Sequence, residues 1–195
     1  MATLLEVSLA TTLLLLCAAT TPLSRSGGFP GPDDALDEPG RRAAAACVLP
    51  VRFAGDVLHA PSRAAAETAA TMGLAARIDP ALADIDHGTW SGRSFDAIAS
   101  ADTAALPAWL ADPVQGTPDG ETMAQVQARI GRWLNAIAAA PATSCAITHA
   151  MPIRAALAHA LDIPLPATLA IDVAPLSRTV LSFNGRWRLQ SLGLD

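Results

Sequence analysis

The chain has 195 residues, 51% of them hydrophobic, with a formal net charge of -5 and no tyrosine. That length and apolar content can bury a substantial core, and a single domain spanning 1-195 is expected, with residues 1–8 as a disordered N-terminus. The acidic balance argues against nucleic acid or another extended polyanion as partner and favours a small-molecule substrate.

The first apolar run holds Leu13-Leu14-Leu15-Leu16-Cys17. A secretory leader is the competing reading, but no Lys or Arg precedes the run, its only early charge is Glu6, and a leucine occupies the place before the cysteine where a small residue is expected. It is also too short to cross a bilayer, so no membrane association is expected. The preferred reading is a central parallel strand over Leu13–Leu16, apolar because it is covered on both faces, in a cytoplasmic protein. Cys17, Cys47 and Cys145 are odd in number and widely separated, which matches neither a disulfide framework nor a zinc spacing. No metal and no cofactor is expected.

From Pro22 to Gly40 the sequence is rich in Gly and Pro, a loop too long for a simple connector and placed after a strand's carboxyl end, where sites form. Within it, Asp33-Asp34 and Asp37-Glu38 read as a solvated turn. Four alanines at 43–46 predict a short helix over Arg41–Cys47. A second strand is expected at Asp56–His59, then a helix over Arg63–Met72 that Pro61 and Ser62 introduce, Ser62 as N-cap.

Residues 82–92 are irregular and charged. Ser94–Trp109 is expected to be helical with an interruption near Pro107, and Asp112–Gly120 a loop. Glu121–Ala139 is the longest predicted helix, with Met123, Val126, Ile130, Trp133, Leu134 and Ile137 on one core-facing stripe. Ala146–Thr148 is a short apolar strand that delivers His149 to a turn, and a helix is expected over Ile153–Leu161, ending before Pro164 and Pro166. Thr179–Phe183 and Trp187–Leu192 flank Asn184-Gly185, the strongest hairpin signal in the chain. Alternating strands and helices predict an α/β fold, a three-layer α/β/α sandwich with a mostly parallel central sheet.

Four segments, in order, carry a resemblance. They are Glu67-Thr68-Ala69, Leu82 to Gly92 (LADIDHGTWSG), Pro118-Asp119-Gly120-Glu121-Thr122 and Thr148-His149-Ala150-Met151-Pro152-Ile153-Arg154. In these segments and in element order the sequence resembles the histidine phosphatase superfamily, which includes cofactor-dependent phosphoglycerate mutases and α-ribazole phosphatases. The resemblance implies hydrolysis of a small phosphomonoester: a histidine after the first strand carries the phosphoryl group, two arginines and a second histidine hold its oxygens, and an acidic residue moves the proton.

Residue by residue, His149 falls on the second histidine, Asp84 on the acid/base position, and Glu121 and Thr122 on the rim motif. Cys17 stands where the resemblance implies the first arginine, and Ala18 where it implies the nucleophile. The second arginine falls on Ala64, with Arg63 one place away, a rotation of about 100° on a helix. Arg25, Arg63, Cys17, Ser24 and His59 are therefore the remaining candidates for binding substrate or phosphate, and Cys17 is also weighed as a substitute nucleophile.

Three functions stay open from the sequence. One is a phosphatase scaffold inactive or impaired for want of a nucleophile at Ala18. Another is a different enzyme that uses Asp84 and His149 as acid and base on a small apolar metabolite. The last is a non-catalytic binding protein.

Overall fold

The computed structural model describes residues 10–193. The disorder expected for residues 1–8 lies outside the described residues. In chain order the elements are β1 (Thr11–Cys17), α1 (Pro22–Ser26), β2 (Gly28–Phe29), α2 (Glu38–Ala46), β3 (Val57–His59), α3 (Arg63–Thr71), β4 (Ala76–Ile78) and β5 (Arg93–Ser94). They continue with α4 (Phe95–Ala101), α5 (Ala105–Ala111), α6 (Met123–Ala139), β6 (Thr143–Thr148), α7 (Ala150–Leu161), α8 (Leu165–Thr168), β7 (Arg178–Phe183) and β8 (Trp187–Gly193).

Six strands form one sheet in the order β4-β3-β6-β1-β7-β8. β1, β3, β4 and β6 run parallel, and the hairpin β7–β8 adds two antiparallel strands at the other edge. Helices flank this sheet, giving an α/β sandwich with a mostly parallel sheet. The centre is β1, and Leu13 to Leu16 are each at most 1% exposed. A strand covered by helices on both faces buries every side chain, so it needs no polar alternation.

α6 presents its predicted stripe inward: Met123, Val126, Ile130, Trp133 and Leu134 are buried. It meets α7 closely, because Gly131 faces the ring of His159 with no Cβ between them. A second small sheet, β2 paired with β5, carries a separate aromatic cluster in which Phe29 lies within 4.8 to 5.2 Å of His87, Trp90, Phe95 and Trp109.

Several boundaries differ from the sequence expectation for local reasons. α2 starts at Glu38 rather than Arg41, since Asp37 caps it by accepting from the Gly40 amide at 2.6 Å and Pro39 fits a first turn. α6 starts after Thr122, which closes a reciprocal capping box with Gln125 and leaves Glu121 outside. α7 takes in Ala150 to Pro152, because a proline in a first turn loses no intrahelical bond. The break in the 94–109 segment falls at 102–104, and Pro107 sits in the first turn of α5. The long loop from Pro22 holds α1 and β2, and strands β2, β4 and β5 were not expected; two- and three-residue strands are too short to show a period.

Candidate active site

The carboxyl ends of the parallel strands open on a cavity of about 550 Å³. Register explains which residues meet there. β6 pairs with β1 through Thr148 opposite Cys17, and with β3 through Ile147 opposite His59. The residues just beyond those aligned ends, Ala18, His149 and Ser62, are therefore brought to one rim, and all three line the cavity. This crevice beyond the carboxyl ends of parallel strands is where α/β sheets place ligands.

His149 is the N-cap residue of α7 and makes no capping bond with its side chain. Its ring is engaged on both sides instead. Nε2 lies 2.7 Å from Ser62 Oγ, and Nδ1 lies 3.6 Å from Asp84 Oδ2. Asp84 thus stands beside Nδ1 without a hydrogen bond to it; in the tautomer with the proton on Nδ1, which faces a group that only accepts, Nε2 accepts from the serine hydroxyl. Asp84 is itself fixed by the Ile85 amide, which donates to Oδ1 at 2.8 Å.

Of the sequence candidates, Cys17, Ala18, Ser24, Asp84 and His149 line this one cavity. Ser24 Oγ is occupied by the Thr21 amide and donates to the Thr21 carbonyl, as part of the capping of α1. Burial pushes the Cys17 thiol up to about 12, reinforced by the charge of Asp84 and opposed by Arg154. Cys17 is thus a neutral thiol at physiological pH, not a nucleophile.

The structure puts the remaining candidates outside the cavity. Arg25 is turned to Asp37, with Nε 2.6 Å from the carboxylate, and also donates to Thr20; its side chain is 49% exposed. Arg63 pairs with Glu67 one turn along its own helix at 2.7 Å and is 56% exposed. Glu67 also receives Arg41 and the Leu36 amide, so the acidic residue of the Glu67-Thr68-Ala69 segment ties α3 to α2 and its approach. His59 spends Nδ1 on the Ala60 carbonyl at 2.7 Å. Glu121 accepts from Arg129 and from the Asp86 amide, bracing the rim, and Thr122 serves as a helix cap.

Sequence reasoning read Ser62 only as a cap. It does cap α3, accepting from the Ala65 amide at 3.3 Å, and its contact with His149 has no local signature because 87 residues separate the two. Asp86, His87 and Ser91 also line the cavity. Burial holds the His87 imidazole below its ordinary range, against the raising influence of Asp84 and Asp86. No arginine is among the described residues that line the cavity. Arg154, the cation that acts on Cys17, is directed at the Ile171 carbonyl.

A match to the model of the histidine phosphatase superfamily (branch 1) extends over residues 13–195. The chain belongs to this superfamily. Among solved structures, the mycobacterial glucosyl-3-phosphoglycerate phosphatase in complex with VO3 is 26% identical, with a TM-score of 0.82 over 95% of this chain and 100% of that one. A mycobacterial protein described as hydrolase 1 is 27% identical, with a TM-score of 0.80 over 94% of this chain and 98% of that one. The α-ribazole phosphatase of Shigella flexneri shares the fold at 19% identity, with a TM-score of 0.80 over 94% of this chain and 96% of that one. A comparison with curated proteins gave no match.

Proposed function

We propose that this superfamily member does not turn over phosphomonoesters through a phosphohistidine. It acts on a small, uncharged, largely apolar substrate, with His149, backed by Asp84, as its acid–base group. The observation that carries this reading is the charge of the cavity wall: Asp84 and Asp86 line it, and no arginine does among the described residues. Two like unit charges about 4 Å apart repel by about 4 kcal/mol at an effective dielectric of 20, roughly a thousandfold in affinity. A phosphate dianion facing these carboxylates with no guanidinium to offset them is strongly disfavoured.

The nucleophile is the second support. Ala18 stands where the resemblance implies the histidine, and a methyl group forms no phosphoryl intermediate. Pro30, Pro32, Ile85, Val173 and Pro175 supply apolar wall, and a crevice of this size suits a small neutral ligand. The mycobacterial phosphatase solved with VO3 takes an oxyanion; this chain carries Cys17, Ala18 and Ala64 at the positions where the resemblance implies the groups that hold one.

The test sets an anion against a neutral probe. Orthovanadate and inorganic phosphate should leave the melting temperature unchanged, 4-nitrophenyl phosphate should not be hydrolysed, and Nile red should gain fluorescence on binding. Hydrolysis of 4-nitrophenyl phosphate that disappears in His149→Ala would overturn the reading.

A further inference from the structure

Ser62 turns the His149–Asp84 pair into a three-member chain. Its Oγ lies 2.7 Å from Nε2 of His149, whose Nδ1 faces Asp84 Oδ2 at 3.6 Å. All three residues line the cavity, and Ser62 is 7% exposed. The tautomer that suits the neighbouring carboxylate carries its proton on Nδ1, and in it Nε2 is the free base beside the hydroxyl. The Nδ1 contact is longer than a hydrogen bond, as such contacts often are before substrate closes the site.

We propose that Ser62 is the nucleophile of an acyl-transfer reaction, with His149 as general base and Asp84 as the positioning residue, on a carboxylic ester with a small apolar acyl group. The proposal rests on the reading of the cavity as a site for uncharged substrates. Ser62 Oγ attacks the carbonyl carbon as its proton passes to His149 Nε2. The bond from that carbon to the alkoxy oxygen then breaks, and the departing alcohol takes the proton from Nε2, leaving an acyl-serine. Water attacks the acyl carbon and gives a proton to Nε2, the bond to Oγ breaks, and the proton returns to Oγ. The sum is ester plus water to acid plus alcohol.

Two further features of the fold suit this step. Ser62 caps the nine-residue helix α3, so charge growing on Oγ forms at the positive end of the helix. α7 also begins at the cavity, at Ala150, and its N-cap His149 makes no side-chain bond there; Pro152 has no N–H and the Ile153 amide donates to the His149 carbonyl, which leaves the Ala150 and Met151 amides for negative charge on the carbonyl oxygen. The product carboxylate is expelled by Asp84 and Asp86 for the reason that phosphate is disfavoured. Serine, histidine and aspartate in these roles recur on unrelated folds and are recognised by geometry.

The experiment uses the full chain, a fluorophosphonate probe and 4-nitrophenyl butyrate. The probe should add once, on the peptide that carries Ser62, and 4-nitrophenol should appear in a burst followed by steady turnover. Ser62→Ala should abolish both, as should Ser62→Gly, in which the helix cap is nearly preserved. His149→Ala should abolish labelling while the circular dichroism spectrum is unchanged. Asp84→Asn should lower kcat by about 10³-fold or more with little change in KM, because the imidazole is then held in the wrong tautomer. Butyrate turnover unchanged in Ser62→Gly, or no adduct on Ser62, would overturn the proposal. If the adduct is missing while Nile red binds and vanadate does not, the role of Ser62 falls and the reading of the cavity stands. If vanadate or phosphate raises the melting temperature, the reading of the cavity falls as well.

Discussion

The Oγ of Ser62 and Nε2 of His149 are 2.7 Å apart although 87 residues separate them in the chain. Adjacent parallel strands produce the contact. β3 and β6 are hydrogen-bonded neighbours with His59 opposite Ile147, so the turns that follow them open side by side. One turn enters α3 and the other enters α7, and each delivers one polar side chain at its helix start.

If loss of the oxyanion-holding groups explains the lack of phosphatase chemistry, restoring them together should bring it back. Ala18→His alone should give no hydrolysis of 4-nitrophenyl phosphate. The triple variant Cys17→Arg, Ala18→His, Ala64→Arg should give measurable turnover, since a transition-state guanidinium is worth about 10³-fold or more in phosphoryl transfer. Activity in the single variant would show that the cavity tolerates a phosphoryl group without arginine.

Cysteine reactivity should separate by burial. Cys17 and Cys145 are buried and their thiols are pushed up to about 12, mainly by burial, whereas Cys47 is partly exposed. Iodoacetamide at pH 8 should modify Cys47 in the folded protein and all three residues after denaturation. Peptide mapping by mass spectrometry reads the result, and rapid labelling of Cys17 in the native state would contradict it.

Asp37 should dominate one part of the acid unfolding profile. The Arg25 guanidinium holds its carboxyl well below the usual range, at about 2, with help from the Gly40 amide and the Thr20 hydroxyl. A depressed folded-state pKa contributes stability that is present above the ordinary carboxylate value of about 4 and is lost as pH falls toward 2. Asp37→Asn keeps a cap for α2 and should flatten that slope. Asp37→Ala should in addition lose about 1 kcal/mol of capping at neutral pH. Urea denaturation at pH 7 and pH 3 measures both.

His87 should make the protein less stable on mild acidification. Its imidazole is buried against Phe29 and held below its ordinary range, so below about pH 6.5 the unfolded chain binds a proton that the folded chain resists. Stability is therefore highest where the ring is neutral in both states and falls as pH drops through that region. The difference in melting temperature between pH 7.5 and pH 5.5 should shrink in His87→Phe. An undiminished difference would assign the slope to other groups.

Much of the fold is legible in the local pattern because its causes are local. The unbroken apolar run at Leu13–Leu16 marks the central strand, the 3.6-residue stripe from Met123 marks α6, and Asn184-Gly185 marks the β7–β8 turn. Helix starts differ from the local pattern by two or three residues where side-chain caps decide them, at Asp37 and Thr122, and where Pro152 is taken into the first turn of α7. The short strands β2, β4 and β5 leave no local pattern, because their pairing is set by the partner strand and not by their own residues.

For the site, the sequence by itself determined the chemical inventory: a histidine at a strand-to-helix turn, an aspartate in a charged segment, and the lack of arginine and histidine at 17 and 18. Only the tertiary structure decided what these groups face. Side-chain partnership depends on the tertiary fold, so Arg25, a candidate for its charge in the loop, and Arg63, a candidate for its place beside Ala64, are turned to Asp37 and Glu67. The register of β3 on β6 sets Ser62, which local propensity reads as a helix cap and nothing more, against the imidazole of His149.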